Sequence, residues 1–109
     1  MSYKVKAIPN FEKSLKRLVK KFPSLKAEYV ALLDSLEENP EQGIPIGNSC
    51  FKIRLAMASK GKGKSGGARV IIHVLIKDKI VFLLDIYDKS EQANISDKEL
   101  AQLLKWIAD

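Results

Sequence analysis

The stretch RVIIHVLIKDKIVFLLDIY, residues 69–87, decides the fold of this 109-residue chain. Two apolar runs, residues 69–76 and 80–87, flank a short polar segment, which is typical of two strands joined by a tight turn. Upstream, residues 50–57 alternate apolar and polar side chains, which predicts another strand with one apolar and one basic face. The three strands together predict an antiparallel meander.

Two amphipathic helices are predicted before the meander. Apolar residues recur with helical spacing across residues 11–22 and again across residues 25–36. Asn10 is the predicted N-cap of the first helix, and Pro40 ends the second because proline cannot continue a helix. Residues 3–8 add a short strand candidate.

A third helix is predicted near the C-terminus. Ser96 and Glu99 form a capping box, and the residues that follow carry apolar side chains with helical spacing. No internal repeat is visible. The sequence therefore predicts an α+β fold of one domain over residues 1–109, in which two N-terminal helices pack on a small, mainly antiparallel sheet and a C-terminal helix follows.

The charge is strongly basic and uneven. The net charge is +6 and the pI is about 9.5. Six basic residues and no acid lie from Lys52 to Arg69, and eight basic residues with Glu12 as the one acid lie from Lys4 to Lys26. Such a field favours polyanions, above all nucleic acid. For the N-terminal lysines, the polar face of a solvated helix is an equally good explanation.

Several classes of protein are excluded by the composition. The chain has no apolar run long enough for a transmembrane helix and no signal-peptide core, so we expect no membrane partner. A single cysteine, Cys50, excludes an internal disulfide and fits the cytoplasm. One cysteine and one histidine are too few for a zinc site, so we expect neither a metal nor another cofactor.

The glycine- and lysine-rich segment 58–68 superficially resembles a phosphate-binding P-loop. That motif requires a glycine where this chain has Ala58, and it requires a helix after Lys64-Ser65, where this chain has a strand pattern. Without a helix N-terminus the usual phosphate cradle is missing. The segment is better explained as a basic hairpin loop, and no nucleotide cofactor is expected.

Strand alternation places a candidate site on one face of the meander. Arg54, Arg69 and Tyr87 are predicted to converge there, Lys89 follows in register, and Lys64 lies above them in the loop. The same alternation assigns three further residues of the last strand to the face of Tyr87: Val81, Leu83 and Asp85. The prediction is a basic cleft that contains a phenol.

Three stretches occur in an order and spacing that resemble the RelE/ParE toxin superfamily, in particular its HigB-like branch. They are FKIRLA at residues 51–56, KGKGKSGGARVI at 60–71 and LLDIYDKSE at 83–91. The resemblance covers nearly the whole chain. It implies the toxin of a toxin–antitoxin pair, an antitoxin partner with a helix-turn-helix, and cleavage of mRNA on the translating ribosome.

RNA cleavage by the 2′-hydroxyl needs a base, cations for the phosphorane and an acid for the leaving oxygen. Lys64 is the candidate base, with a pKa lowered by neighbouring cations. Arg69 and Arg54 would hold the phosphorane, and Tyr87 or Lys89 would protonate the leaving oxygen, unless Tyr87 stacks on a base. The expected RNA-binding residues are Lys52, Lys60, Lys62, Ser65 and His73, and Lys62 could exchange roles with the base.

Other readings stay open at this stage. A gyrase-binding toxin of the ParE type, or an inactive RNA-binding relative, would share the fold without the chemistry. Arg54 could pair with Asp85, and Tyr87 could be a packing residue at a strand end. His73 is better explained as a partly buried strand residue than as a catalyst.

Overall fold

A computed structural model describes residues 2–57 and 66–107 of the chain. The elements, in chain order, are β1 Lys4–Ala7, α1 Pro9–Lys21, α2 Leu25–Glu38, β2 Ile44–Gly47, β3 Cys50–Leu55, β4 Ala68–Leu75, β5 Ile80–Asp88 and α3 Asp97–Leu104. The predicted α+β class is confirmed. Residues 58–65 of the predicted loop lie outside the described residues, and four predicted site residues lie among them: Lys60, Lys62, Lys64 and Ser65.

The five strands form one mixed sheet in the order β1-β5-β4-β3-β2. The meander of β3, β4 and β5 is antiparallel as predicted, and β1 joins β5 in parallel. The sequence prediction missed β2, which pairs with β3 through a two-residue turn. The turn residues Asn48 and Ser49 both have positive φ, which matches the twist of a two-residue hairpin.

The core lies around the central strand. Val70, Ile71 and Ile72 on β4 are completely buried, as are Phe11 and Leu18 on α1. Burying one such side chain stabilises the fold by about 1.5–3 kcal/mol. The helix α1 packs along β5 and β1, whereas α2 contacts β1 and β3, so both N-terminal helices close the core against the sheet.

The start of α1 differs from the prediction. Pro9 is the first helical residue and Ile8 occupies the N-cap, because the fixed φ of proline suits the first turn and its missing N–H is not needed there. Asn10 is therefore inside the helix. Its side-chain amide Nδ2 donates to the carbonyl oxygen of Leu84 at 2.9 Å and ties the helix to β5.

A β-bulge divides β5 into two registers. Leu84 is an extra residue between the part of β5 that pairs with the first half of β4 and the part that pairs with the second half. An inserted residue exchanges the two faces of a strand. The prediction that Val81 and Leu83 share the face of Tyr87 is therefore wrong, whereas Asp85 lies in the same register as Tyr87.

The C-terminal helix begins as predicted. The backbone N–H of Glu99 donates to Ser96 Oγ at 3.0 Å, and the backbone N–H of Ser96 donates to Glu99 Oε1 at 3.3 Å, which completes the capping box. Leu100 of α3 is buried in the core. In the part of the chain that the structure describes, none of the helices combines the length and apolar character needed to cross a membrane.

Candidate functional site

The site is built on a row of three side chains across the meander. Arg54 on β3 is the direct cross-strand partner of Arg69 on β4, and Arg69 is in turn the partner of Tyr87 on β5. Residues directly opposite each other point to the same face of a sheet, and neighbouring strands lie about 4.8 Å apart. The Arg54–Arg69–Tyr87 row therefore spans about 10 Å on one face.

The middle member of the row is a buried cation. Arg69 is only 2% exposed, whereas Arg54 is exposed to solvent. The guanidinium Nη1 of Arg69 donates to the carbonyl oxygen of Ala68 at 3.1 Å, which fixes its direction. Burial, and then the charge of Arg54, lower the pKa of Arg69. Because a guanidinium still keeps its proton at neutral pH, the row presents a preorganised positive charge.

Tyr87 carries an unsatisfied hydroxyl. Its side chain is 3% exposed, and among the described residues its hydroxyl oxygen has no hydrogen-bond partner. Burial raises the pKa of Tyr87, the nearby Asp85 and Glu99 raise it further, and Arg69 acts in the opposite direction. The phenol therefore stays protonated at neutral pH. A buried O–H group without an acceptor is expensive to maintain, and it is ready to donate to a ligand.

Two further predicted residues lie at the rim of the row. Lys52 shares its face, two residues before Arg54 on β3, and its Nζ donates to Asn94 Oδ1 at 3.4 Å. Lys89 follows the end of β5 and is exposed, and its backbone N–H donates to the carbonyl oxygen of Gly67 at 3.0 Å. This bond extends the β4–β5 pairing by one step and holds Lys89 beside the start of β4.

His73 is not part of the row. It lies on the same strand as Arg69, four residues further along, which is about 13 Å at the usual rise of a strand. Its Nδ1 is 3.5 Å from the Sγ of Cys50, its cross-strand partner. Burial raises the pKa of that thiol to about 11. The structure thus groups His73 with Cys50, and its RNA-binding role stays a prediction.

The alternative in which Asp85 pairs with Arg54 is not what the structure shows. Asp85 Oδ1 accepts hydrogen bonds from Ser14 Oγ at 3.2 Å and from the backbone N–H of Ile86 at 2.9 Å. Burial raises the pKa of Asp85, and these hydrogen bonds oppose that shift. Asp85 thus connects β5 to α1 and forms no ion pair with Arg54, so the charge of Arg54 is not neutralised by Asp85.

The sequence did not indicate one border of the site, the edge strand β2. Ile44 of β2 is the cross-strand partner of Lys52, so its side chain lies on the face of the row. The sequence signal that could have found this border is the glycine at position 43. A glycine often occupies a backbone position with positive φ, as Gly43 does in the structure.

The arrangement suits phosphate chemistry. Two guanidinium groups side by side can bind phosphate oxygens bidentately, and a neutral phenol beside them can donate a proton. Within residues 2–57 and 66–107, no three histidine, cysteine, aspartate or glutamate side chains gather in a way that would hold a metal ion.

Comparison with known proteins adds a family and a fold. The sequence profile of a family described as RelE toxin of the RelE / RelB toxin-antitoxin system matches residues 11–109. A mutant of the E. coli toxin RelE in the free state is 19% identical with a TM-score of 0.64, and the match covers 98% of this chain and 99% of that chain.

Two other solved structures are similar to this chain at comparable sequence identity and TM-score. The isolated E. coli RelE toxin is 20% identical with a TM-score of 0.58, over 97% of this chain and 99% of that one. The toxin–antitoxin complex RelBE2 from Mycobacterium tuberculosis contains a chain 17% identical with a TM-score of 0.60, over 81% of this chain and 99% of that one. At these identities the structural matches establish the fold alone.

Proposed function

This chain belongs to the RelE family of toxins, and on that premise we propose that it is a HigB-like, ribosome-dependent endoribonuclease that cleaves mRNA and inhibits translation. The observation that carries the proposal is the Arg54–Arg69–Tyr87 row, in which a buried guanidinium is in direct register with a phenol that has no hydrogen-bond partner among the described residues. Residues 1–109 would act as one toxin domain.

The proposed reaction is attack by an RNA 2′-hydroxyl on the adjacent phosphorus. A bond forms between the 2′-oxygen and phosphorus, the bond to the 5′-oxygen breaks, and the products are a 2′,3′-cyclic phosphate and a 5′-hydroxyl. Arg69 and Arg54 stabilise the charge that develops on the phosphorane. Tyr87 or Lys89 delivers a proton to the leaving 5′-oxygen.

The proton of the 2′-hydroxyl needs an acceptor. We assign it to Lys64, or to Lys62 in its place, because a lysine among other cations loses its proton more easily. Other cations and polar groups would hold the backbone of the RNA. These are Lys60 and Ser65 of the same segment, Lys52 on β3 and His73 on β4.

The ribosome supplies what so small a protein lacks. The row offers contacts for about one phosphate, whereas a message held on the ribosome is already positioned for reaction. Purified protein should therefore cut mRNA on programmed ribosomes much faster than the same RNA free in solution. Equal cleavage rates on free RNA would contradict the dependence on the ribosome, and the protein would then be a nuclease that acts on RNA directly.

An antitoxin is the second proposed partner. RelBE2, one of the similar structures, is a toxin–antitoxin complex. We therefore expect an antitoxin that neutralises this chain in the cytoplasm. The resemblance to the RelE/ParE superfamily implies that this partner carries a helix-turn-helix.

One experiment tests the function in cells. The protein is induced, the 5′ ends of cellular mRNA are mapped, and Arg54→Ala and Arg69→Ala serve as comparisons. New 5′-hydroxyl ends within coding regions, absent with the variants, support the proposal. In a separate assay with purified components, cleavage should survive EDTA as long as enough magnesium remains to keep the ribosomes intact. Growth arrest without new ends, together with inhibited supercoiling by purified gyrase, would replace the proposal by the gyrase-binding alternative.

A further inference from the structure

We propose that the groove beside β2 is a subsite for the nucleotide next to the scissile phosphate, with Ile44 as the residue that contacts its base. The inference rests on the proposed RNA cleavage and names a specificity-determining residue for it. The groove has a volume of about 440 Å³ and is lined by Gln42, Gly43, Ile44, Lys52, Ile53 and Arg54.

The groove is continuous with the row. Arg54 lines the groove and is also the outer member of the Arg54–Arg69–Tyr87 row. Lys52 lies on the same face, and Ile44 is its cross-strand partner. The strand β2 lies one strand spacing, about 5 Å, beyond β3 and Arg54. The nucleotide that adjoins a phosphate held between Arg69 and Arg54 therefore lies within reach of β2.

The chemistry of the groove suits a nucleotide. Ile44 is 46% exposed and lines the groove together with the cations Lys52 and Arg54. The base has an apolar face for Ile44, and its phosphate has Lys52 and Arg54 as counter-charges. Continuity with the row favours RNA over an acidic peptide, because a nucleotide combines a phosphate for Arg54 with an adjoining base for Ile44, whereas an acidic side chain offers only the charge.

The backbone around Ile44 is conformationally restricted. Gly43 has a φ of +94°, and a β-carbon there would lie 2.4 Å from the carbonyl oxygen of Lys52 and 2.9 Å from Cγ1 of Ile53. Glycine thus lets the chain lie directly against β3. Pro45 follows Ile44 and restricts it to extended conformations. The direction in which Ile44 leaves the backbone is therefore constrained, which lowers the cost of ordering a contact there.

The first test is the sequence preference of cleavage. Programmed ribosomes are given mRNAs in which the nucleotides on both sides of the cut are varied, and Ile44→Ala is compared with wild type. We expect the preference at one of these positions to fall about three- to tenfold, the size expected for losing one apolar contact. Ile44→Val should retain most of it. An unchanged preference in Ile44→Ala overturns the subsite.

The control variant is Val30→Ala. Val30 is 49% exposed on α2 and does not line the groove, so it matches Ile44 in exposure and loses a similar apolar area. It should behave as wild type. A change of preference as large as that of Ile44→Ala would show a general effect on folding and would overturn the assignment to Ile44.

A second test does not need cleavage. The isotopically labelled protein is titrated with a trinucleotide in which the sugars that precede both phosphates are 2′-deoxy, so that no attack can occur. Amide NMR signals of Gly43 and Ile44 should shift, and Ile44→Ala should weaken binding about three- to tenfold. If the wild-type protein cuts no mRNA, the proposed function fails while this titration still decides the subsite. Absence of shifts at Gly43 and Ile44 overturns the subsite, whatever the cleavage result.

Discussion

Arg54 and Arg69 face each other as direct partners on two antiparallel strands. Like charges directly opposite each other are destabilising in a sheet. The pKa of Arg69 is lowered first by burial and then by the charge of Arg54, as this repulsion requires. A bound phosphate would turn this repulsion into a shared attraction. The pair is therefore a feature that weakens the free protein and becomes favourable with an anion in place.

The first prediction follows from that pair. Arg54→Ala should leave the free energy of unfolding unchanged or raise it by up to about 1 kcal/mol, because an exposed like charge is removed. Cleavage on the ribosome should fall about 10²-fold, the usual scale for losing a preorganised charge. Chemical denaturation and a single-turnover assay measure the two effects, with Lys13→Ala on α1 as the control. A marked loss of stability in Arg54→Ala would contradict the repulsive pair.

The second prediction concerns Tyr87→Phe. The substitution removes a buried hydroxyl that lacks a partner among the described residues, so stability should stay level or rise by about 1 kcal/mol. Cleavage should fall about 10- to 100-fold if the phenol protonates the leaving oxygen. The same two assays apply. Full activity in Tyr87→Phe would exclude the donor role and leave base stacking, for which a phenyl ring is sufficient.

The third prediction tests the lysines of the segment 58–68. Lys64→Ala should lower cleavage on the ribosome by about 10²-fold or more, as expected for the loss of a catalytic proton carrier. Lys60→Ala should weaken binding modestly and reduce its dependence on salt, as a phosphate contact without a chemical role does. Rates are measured at several salt concentrations. Intact cleavage in Lys64→Ala would remove it from the catalytic residues.

The faces of the strands in the Arg54–Arg69–Tyr87 row could be predicted from the sequence only in part. The alternation of β3 and β4 is regular, so the placement of Arg54 and Arg69 on one face follows from a period of two. Their direct pairing depends on the register of the two strands, which the alternation does not give. Tyr87 was also placed on their face, but Val81 and Leu83 were not correctly placed, because the bulge between them and Tyr87 has no local signal. A bulge depends on how two strands pair, which a single run of residues does not encode.

The missed elements have a similar cause. The strand β2 is four residues long and contains Pro45, and both features weaken a strand signal. Asn10 has the chemistry of an N-cap, but Pro9 before it fits the first helical position better. For β2 a tertiary contact decided, since β2 pairs with β3. For Asn10 the local preference of Pro9 decided, and the bond of Asn10 to Leu84 is consistent with its place inside the helix.

The fourth prediction compares two glycines. Gly43 and Gly47 have nearly the same φ, +94° and +92°, but a β-carbon would clash with β3 only at Gly43 and meets open space at Gly47. Gly47→Ala should cost about 1–2 kcal/mol from backbone strain. Gly43→Ala should cost clearly more. Equal losses in denaturation experiments would mean that the close approach to β3 contributes nothing.

The fifth prediction concerns the thiol of Cys50. The side chain is 1% exposed and its pKa is raised to about 11. Because the thiolate is the reactive form, iodoacetamide should leave the folded protein unmodified at pH 8 and modify it fully in guanidinium. The reaction of the folded protein should increase as the pH rises towards 11. Mass spectrometry follows the adduct, and rapid alkylation of the folded protein at pH 8 would contradict the burial.

The parallel pairing of β1 with β5 affects how the chain is made. Lys4 pairs with Ile80, about 75 residues later, whereas β3, β4 and β5 are consecutive hairpin partners. Contacts between near neighbours in sequence form early, and distant ones require the closure of a long loop. We expect the meander, and with it the Arg54–Arg69–Tyr87 row, to assemble before β1 docks. The N-terminal segment, although synthesised first, would thus be the last strand to join the sheet.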